Sequence, residues 1–221
     1  MRTVAFLQRR SDLSRDAFRE HYEEQHVPLA LPHLRGLQFY VRNHVQFDSD
    51  AGAPPFDAVS EFEYESPEAF DAMSSTLESK DGDTIRGDEL RFMNKPGNSF
   101  FASALAATGA GTRPEPGSGY KVMAVLRASA QEKREALAAR AYNAAASIET
   151  SGAAIASQID VALAGDPLGP AAFDVVLHLW YPDGTDVRVA VEALRDALVG
   201  SSTFHCFGVL ECNTPVLERD R

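Results

Sequence analysis

The alternation of hydrophobic and polar residues divides the chain into two similar series of elements. The first predicts strands at residues 1–8, 37–47, 56–64 and 98–102, a helix from Ser14, another over 68–77 and a short one near 83–90. The second predicts strands at 121–127, 155–163, 173–181 and 203–213, with helices over 130–149 and 185–199. Both series read strand, helix, strand, strand, helix, strand, which is the ferredoxin-like motif.

The third strands of the two series also match in sequence. Residues 56–64 and 173–181 both begin Phe-Asp and align along their length, so that Glu61 corresponds to His178. Repetition of this kind is a primary clue to architecture. We therefore predict an α+β fold in which two ferredoxin-like βαββαβ repeats form a pseudo-dimeric α/β barrel. The predicted repeats are residues 1–104 and 119–221, joined by a linker rich in Ala, Gly, Thr and Pro at 105–118.

The first predicted helix carries the strongest candidate for chemistry. Ser14 suits an N-cap, and Tyr22 and His26 recur at four-residue spacing on one helical face. Pro28 is expected to kink or end the helix just beyond His26. His26 would then reach a cavity from a helix terminus, as a general acid or base with an ordinary pKa near neutrality. The alternative is a histidine that only hydrogen-bonds a carbonyl.

A polar and aromatic face is predicted on the strand at residues 37–47. We expect Phe39, Val41, Val45 and Phe47 to pack against helices, and Tyr40, Arg42 and His44 to face a cavity between two sheets. There Arg42 would hold a carboxylate or enolate oxygen, and Tyr40 would stack on an aromatic ligand. A solvent-exposed sheet face would show the same alternation.

Glu61 is a carboxylate in the middle of a predicted strand. If it shares the cavity with His26, it orients the imidazole or takes a proton. In the second repeat His178 occupies its place, and Trp180 follows on the same face, so both are candidate ligand contacts. The second repeat has no His-x-Pro segment, which predicts one active site per chain.

No metal site is predicted. His21 and His26 are five residues apart, about 140° around a regular helix, so their rings are expected to point apart. Glu61 with two histidines is a weak signal for iron or zinc.

Several separate motifs in the first hundred residues resemble the EthD family, one branch of the dimeric α/β-barrel proteins. They are Arg10-x-Asp12-Leu13-Ser14, Phe18-Arg19, His26-Val27-Pro28-Leu29, Leu37-x-x-Tyr40-Val41-x-Asn43-His44-Val45 and the run from Phe56 to Phe62. The resemblance covers about residues 1–101 and does not extend by motif into the second half.

The resemblance implies a small-molecule enzyme working without a cofactor. EthD-like relatives are associated with dehydration, decarboxylation or isomerisation of hydrophobic polyketide-, lactone- or ether-like compounds. In this chain His26 would be the acid or base, Glu61 its partner, and Arg42, Tyr40 and His44 would stabilise oxyanion charge. Two alternatives stay open: a non-catalytic small-molecule-binding protein, and a haem-handling barrel with His44, His178 or His205 as axial ligand.

Composition narrows the possible partners. The net charge of −11 argues against nucleic acid and against anionic membrane surfaces. No apolar run suits a membrane span or a signal peptide. Cys206 and Cys212 lie too far apart on one predicted strand to pair, which favours the cytoplasm. We expect either a monomeric pseudo-dimer or a homodimer.

Overall fold

The computed structural model describes residues 1–48, 53–115, 119–164, 171–198 and 203–214. The eight strands are β1 (Arg2–Leu7), β2 (Leu37–Asp48), β3 (Ala58–Tyr64), β4 (Ser99–Thr108), β5 (Tyr120–Arg127), β6 (Ala156–Ala162), β7 (Val175–Tyr181) and β8 (Thr203–Asn213). Their hydrogen-bonded order is β1-β3-β2-β8-β5-β7-β6-β4, a closed barrel. The predicted fold class is therefore confirmed.

The helices are α1 (Arg15–His21), α2 (Val27–Ala30), α3 (Pro67–Glu78), α4 (Asp83–Phe92), α5 (Arg134–Thr150) and α6 (Val187–Ala197). A π-helical turn at Tyr22–His26 joins α1 to α2, and short 3₁₀ turns lie at Leu31–His33, Lys80–Gly82 and Lys95–Gly97. None of the described helices combines the length and the apolar character that crossing a membrane requires.

The chain divides into two compact units whose limits differ from the predicted repeats. The first unit comprises residues 1–44, 55–100 and 213–221, and the second comprises 45–54 and 101–212. Residues 105–108, predicted as part of a linker, belong to β4 and pair with β6. Residues 116–118 of that predicted linker lie outside the described part of the chain.

In the first unit, β3 pairs antiparallel with both β1 and β2. The apolar core lies between this sheet and α1 to α4 and includes Ala5, Phe18, Tyr40, Tyr64 and Phe92. Ser14 caps α1 as predicted, since its side chain accepts a hydrogen bond from the backbone N–H of Ala17.

In the second unit, β5 pairs with β7 and β8, and β6 pairs with β7 and β4. Its core packs alternate strand residues such as Leu177 and Leu179 against α5, which contributes Leu137, Ala141 and Ala145. Cys206 and Cys212 both lie on β8 and are not joined in a disulfide, as predicted.

In both units an aspartate just before the third strand hydrogen-bonds to the start of the first helix. Asp57, before β3, accepts a hydrogen bond from Arg15 Nε at the start of α1, at 3.2 Å. Asp174, before β7, accepts one from Arg134 Nε at the start of α5, at 3.0 Å. In each unit the same carboxylate also accepts a backbone N–H just after the first strand. These anchors fix which positions correspond between the units.

Candidate functional site

The first helical segment passes through a π turn before it reaches His26. The N–H of Val27 bonds to the carbonyl of Tyr22, five residues earlier, and the backbone stays helical through Pro28. The helix continues through Pro28 to Ala30 and passes into the 3₁₀ turn Leu31–His33, so it ends soon after His26, although not at Pro28 itself. Proline lacks a donor and clashes with the carbonyl four residues before it, and a widened turn accommodates both defects.

The π turn places two histidines on one carboxylate. His26 Nδ1 lies 3.0 Å from Asp88 Oδ2, and His21 Nε2 lies 3.0 Å from Asp88 Oδ1. Both imidazole rings also contact Phe92, with centroid distances of 5.0 and 4.7 Å. The prediction that the two rings point apart assumed 3.6 residues per turn. It is wrong because the wider π turn rotates less per residue, which brings the two rings to the same side of the helix.

Asp88 is the site residue that sequence reasoning missed. It lies on α4 and is buried on the same face as Ile85 and Phe92. A carboxylate within an apolar helical stripe was the available signal, since a buried acid requires a partner. The helix itself was predicted near residues 83–90, close to the observed bounds Asp83–Phe92.

His26 lines a cavity of about 260 Å³ within the first unit. The cavity lies on the helix side of the β1–β3–β2 sheet, and most of its wall is apolar. Its lining includes Ala5, Leu7, Ala30, Leu34, Phe62, Tyr64, Phe70, Met73, Leu77, Ile85, Met93 and Phe100, together with the polar residues Thr3, Tyr22, His26, Tyr40, Glu89, Lys95 and Asn98. The size is near the lower end for small-molecule sites, and the mixture of apolar wall and few polar groups is typical of them.

Burial sets the protonation of His26. Desolvation lowers the pKa of His26 below its ordinary value of 6.5, and the hydrogen bond that His26 donates to Asp88 opposes this shift only in part. The imidazole is therefore neutral at pH 7. Because the Asp88 carboxylate can only accept, Nδ1 carries the proton and Nε2 is the basic nitrogen.

Three hydroxyl groups form a chain beside this histidine. Tyr22 Oη lies 2.8 Å from Tyr40 Oη and 2.9 Å from Ser60 Oγ, all buried. Burial raises the pKa of Tyr22 to about 12 and that of Tyr40 well above 10, so both remain protonated donors. The rings of Tyr22 and His26 are 5.5 Å apart, which places donors and base in one cavity.

The polar face of β2 does not point where the sequence predicted. Tyr40 belongs to the core beneath the helices, and Arg42 and His44 contact Glu23 in the π turn. Arg42 Nη2 and His44 Nε2 lie 2.5 and 2.6 Å from the Glu23 carboxylate. Buried polar side chains here found partners on the helices, so the assignment of faces for β2 was wrong.

Glu23 neutralises the arginine that was expected to hold a ligand. Burial alone would raise the pKa of Glu23, but hydrogen bonds from His44 and Arg42 outweigh it and lower that pKa to about 2. The Arg42 guanidinium also lies 4.6 Å from the Tyr40 ring centroid and bonds Thr214. Arg42 therefore packs over the Tyr40 ring, and His44 is paired with Glu23. Neither residue lines the cavity.

Glu61 does not orient His26. It alternates with Ser60 on β3, and its Oε1 accepts a 2.8 Å hydrogen bond from Asn43 Nδ2 on the sheet face away from the tyrosines. Asp88 takes the role that was predicted for Glu61. The physical reason is strand alternation, which puts Glu61 and the Tyr22-bonded Ser60 on opposite faces.

The second-unit candidates lie on the sheet face opposite α5. His178 is fully buried, its Nε2 lies 3.3 Å from Asp160 Oδ2, and its ring stacks with Trp180 at 6.0 Å. Trp180 lies beneath Lys121 and Arg113, whose charged groups are 4.8 and 5.0 Å from its ring centroid. These residues do not line the His26 cavity.

Comparison with known proteins identifies the first half. Residues 10–96 match the family model of the EthD domain. This match confirms the resemblance to the EthD family seen in the sequence, for this part of the chain. A comparison with curated protein sequences found no significant match.

Solved structures share the fold along almost the whole chain. An anthrone oxidase-like protein superposes with a TM-score of 0.61 at 11% identity, covering 96% of this chain and 92% of that one. A protein assigned as a monooxygenase from Fusobacterium nucleatum has a TM-score of 0.53 at 9% identity, covering 95% and 91%. A chlorite dismutase variant from Candidatus Nitrospira defluvii has a TM-score of 0.50 at 13% identity, covering 94% and 90%. At these identities the likeness establishes the fold.

Proposed function

We propose that the EthD-domain cavity binds a hydrophobic ketone-like molecule and that His26 removes a proton from the carbon next to its carbonyl, without a cofactor. The observation that carries this proposal is the shared cavity. A neutral histidine held by a carboxylate lines the same space as two tyrosine hydroxyls. A positioned base and positioned donors are the two requirements for forming an enolate.

The proposed base is prepared by its surroundings. Asp88 fixes the ring and the tautomer of His26, and it stabilises the imidazolium that forms when Nε2 takes the proton. Because the pKa of His26 is lowered, its ring is unprotonated at neutral pH in the protein without ligand. The cavity wall is mainly apolar, so it excludes water from the reacting carbon.

Hydrogen-bond accounting supports a donor for the enolate oxygen. The chain of Tyr40, Tyr22 and Ser60 has three hydroxyl protons and two hydrogen bonds. If Ser60 donates to Tyr22 and Tyr22 to Tyr40, the Tyr40 proton remains for a ligand oxygen. Tyr40 lines the cavity, so this proton is available to a bound molecule.

The enolate determines which reactions the site supports. Return of the proton to another carbon is an isomerisation, loss of a β-hydroxyl is a dehydration, and formation of the enolate by loss of CO₂ is a decarboxylation. The apolar wall fits the polyketide-, lactone- or ether-like compounds that the EthD resemblance implies. A lyase or isomerase of this type is therefore the function we propose.

Two other functions are less well supported. A purely binding protein does not need the buried Asp88–His26 pair, which is costly to bury. A haem protein needs an axial ligand, and the candidates His44, His178 and His205 do not line this cavity.

The test is exchange of α-protons with solvent deuterium. The acetyl methyl protons of 2-acetylnaphthalene, incubated with the protein in D₂O, should exchange faster than in buffer, as followed by proton NMR. His26→Gln should remove a factor on the order of 10²–10⁴ of the catalysed rate. The control is His33→Gln, a histidine outside the cavity, which should retain the wild-type rate. Equal rates in the wild type and His26→Gln would overturn the proposal.

A further inference from the structure

Lys95 and Glu89 bring charge to a cavity that is otherwise mostly apolar. Lys95 begins the 3₁₀ turn Lys95–Gly97, Glu89 lies on α4, and their side chains form an ion pair. The Lys95 side chain is 38% exposed and that of Glu89 is 21% exposed, whereas Tyr22, Tyr40 and His26 are buried. The pair therefore marks the solvent-accessible part of the cavity, and the tyrosines and His26 mark its inner part.

The ammonium group of Lys95 has capacity for a ligand. It carries three N–H donors, and among the described residues its side-chain hydrogen bond goes to Glu89. Donors therefore remain for an oxygen of a bound molecule without breaking the ion pair. Since Glu89 already neutralises Lys95, a ligand carboxylate there would meet the negative charge of Glu89. An uncharged acceptor meets no such repulsion.

Three nearly parallel aromatic rings stand side by side in the wall of the same cavity. The rings of Tyr40 and Phe62 are 4.5 Å apart with an interplanar angle of 17°, and those of Phe62 and Tyr64 are 6.4 Å apart at 15°. All three residues line the cavity. Nearly parallel rings favour a planar ligand over a globular one.

From these features we infer that Lys95 is a specificity-determining residue that binds a second, uncharged oxygen of the substrate. The inference rests on the proposed function and deepens it by naming a substrate class. That class is a flat ketone with one carbonyl for the inner hydroxyls and a hydroxyl, ether or second carbonyl oxygen for Lys95. Anionic analogues are disfavoured by Glu89.

Three probes of one shape test this assignment. They are 6-methoxy-2-acetylnaphthalene, with an uncharged acceptor, 6-ethyl-2-acetylnaphthalene, with a methylene in its place, and 6-acetyl-2-naphthoate, with a carboxylate. Their dissociation constants are measured by titration of probe fluorescence. The wild type should bind the methoxy probe about tenfold more tightly than the ethyl probe, as expected for a hydrogen bond from a charged donor. The naphthoate should bind more weakly than the methoxy probe.

Matched variants separate recognition from packing. Lys95→Met keeps the apolar stem and removes the donors, so it should abolish the preference for methoxy over ethyl while still binding both. Glu89→Gln should improve binding of the naphthoate. Lys80→Met, an exposed lysine outside the cavity, should leave all three constants unchanged.

The outcomes distinguish this inference from the proposed function. Equal binding of the methoxy and ethyl probes by the wild type would overturn the role of Lys95 and leave the His26 site in place. A preference that survives in Lys95→Met would also overturn it. Failure of all three probes to bind would contradict the cavity as a ketone site and so remove both proposals.

Discussion

The two units share one frame but differ in what they bury under the first helix. Counting from the anchors Arg15 and Arg134, Tyr22 corresponds to Ala141, and the region of His26 corresponds to Ala144 and Ala145. These alanines pack in the apolar core of the second unit. One unit therefore has a cavity lined by Tyr22 and His26 where the other has a close-packed helix.

The same contrast holds on the strands. Ser60 and its cross-strand partner Arg42 correspond to Leu177 and Ile159, which are also partners across two strands. Thus the first unit has polar residues on its helix and on its strands at positions where the second unit has apolar residues. The two units thus keep the same anchors and differ in these side chains and in the π turn Tyr22–His26, where α5 is a regular helix.

The largest expected effect is that of Asp88, the carboxylate that holds His26, on the exchange rate. Asp88→Asn should lower the α-proton exchange rate by on the order of 10²-fold. His26 then loses the negative charge that stabilises its imidazolium, and an amide, which can donate as well as accept, no longer fixes one tautomer. Loss of the charge also lowers the pKa of His26 further, so the acid limb of the rate profile should move to lower pH. Exchange rates measured across pH test both effects. An unchanged rate would contradict a role for Asp88.

A matched pair of alanines tests the difference in packing. Ala145→Leu in the second unit should cost about 1–3 kcal/mol of unfolding free energy, because that core is full. Ala30→Leu should cost less, because Ala30 lines the cavity and the added atoms occupy it. Urea unfolding measures both costs, and probe titration should show weaker binding in Ala30→Leu alone. Equal costs would argue that the cavity is filled.

A matched pair of tyrosines gives a smaller effect. Tyr22→Phe should cost about 1 kcal/mol, because its hydroxyl joins those of Tyr40 and Ser60. Tyr181→Phe should be neutral or slightly stabilising, since its buried hydroxyl has no hydrogen-bond partner among the described residues. Thermal and urea unfolding of the two variants compare them. A greater loss in Tyr181→Phe would reverse the comparison.

The smallest effect is on pH-dependent stability. Because burial lowers the pKa of His26 below 6.5, the unfolded chain binds more protons than the folded one just below that pH. Stability should therefore rise with pH through this window and level off above 6.5. His26→Gln should reduce that slope, as measured by urea unfolding at several pH values. A steeper slope in the variant would contradict a buried neutral histidine.

The sequence was sufficient for the order of elements and for a cavity at His26. Tyr40 also lines that cavity, but the sequence had assigned it to a cavity on the other face of β2. Hydrophobic periodicity reports which residues are buried, and the Phe-Asp repeat located the third strands. Hydrophobic periodicity does not report a π turn, because such a turn has no periodic signature. The π turn places His21 and His26 on the same carboxylate, that of Asp88.

The alternation of hydrophobic and polar residues also could not predict which face of β2 meets the helices, or the role of Glu61. A buried strand such as β2 has no water-facing side, so alternation alone could not show which face meets the helices. Tyr40, Arg42 and His44 are polar, yet they lie under the helices because Tyr22 and Glu23 supply partners there. Asp88 required tertiary information, since its pairing with His26 spans 62 residues.

The central claim is that His26 is a neutral base held by Asp88 in a ligand-accessible cavity. Nitrogen NMR of ¹⁵N-histidine-labelled protein, assigned with His26→Gln, tests it most directly. We expect the His26 ring to carry its proton on Nδ1 at pH 7, to titrate below 6.5, and to shift at Nε2 when 2-acetylnaphthalene is added. A charged His26 ring at pH 7, or an Nε2 chemical shift that stays unchanged when the ketone is added, would contradict the account.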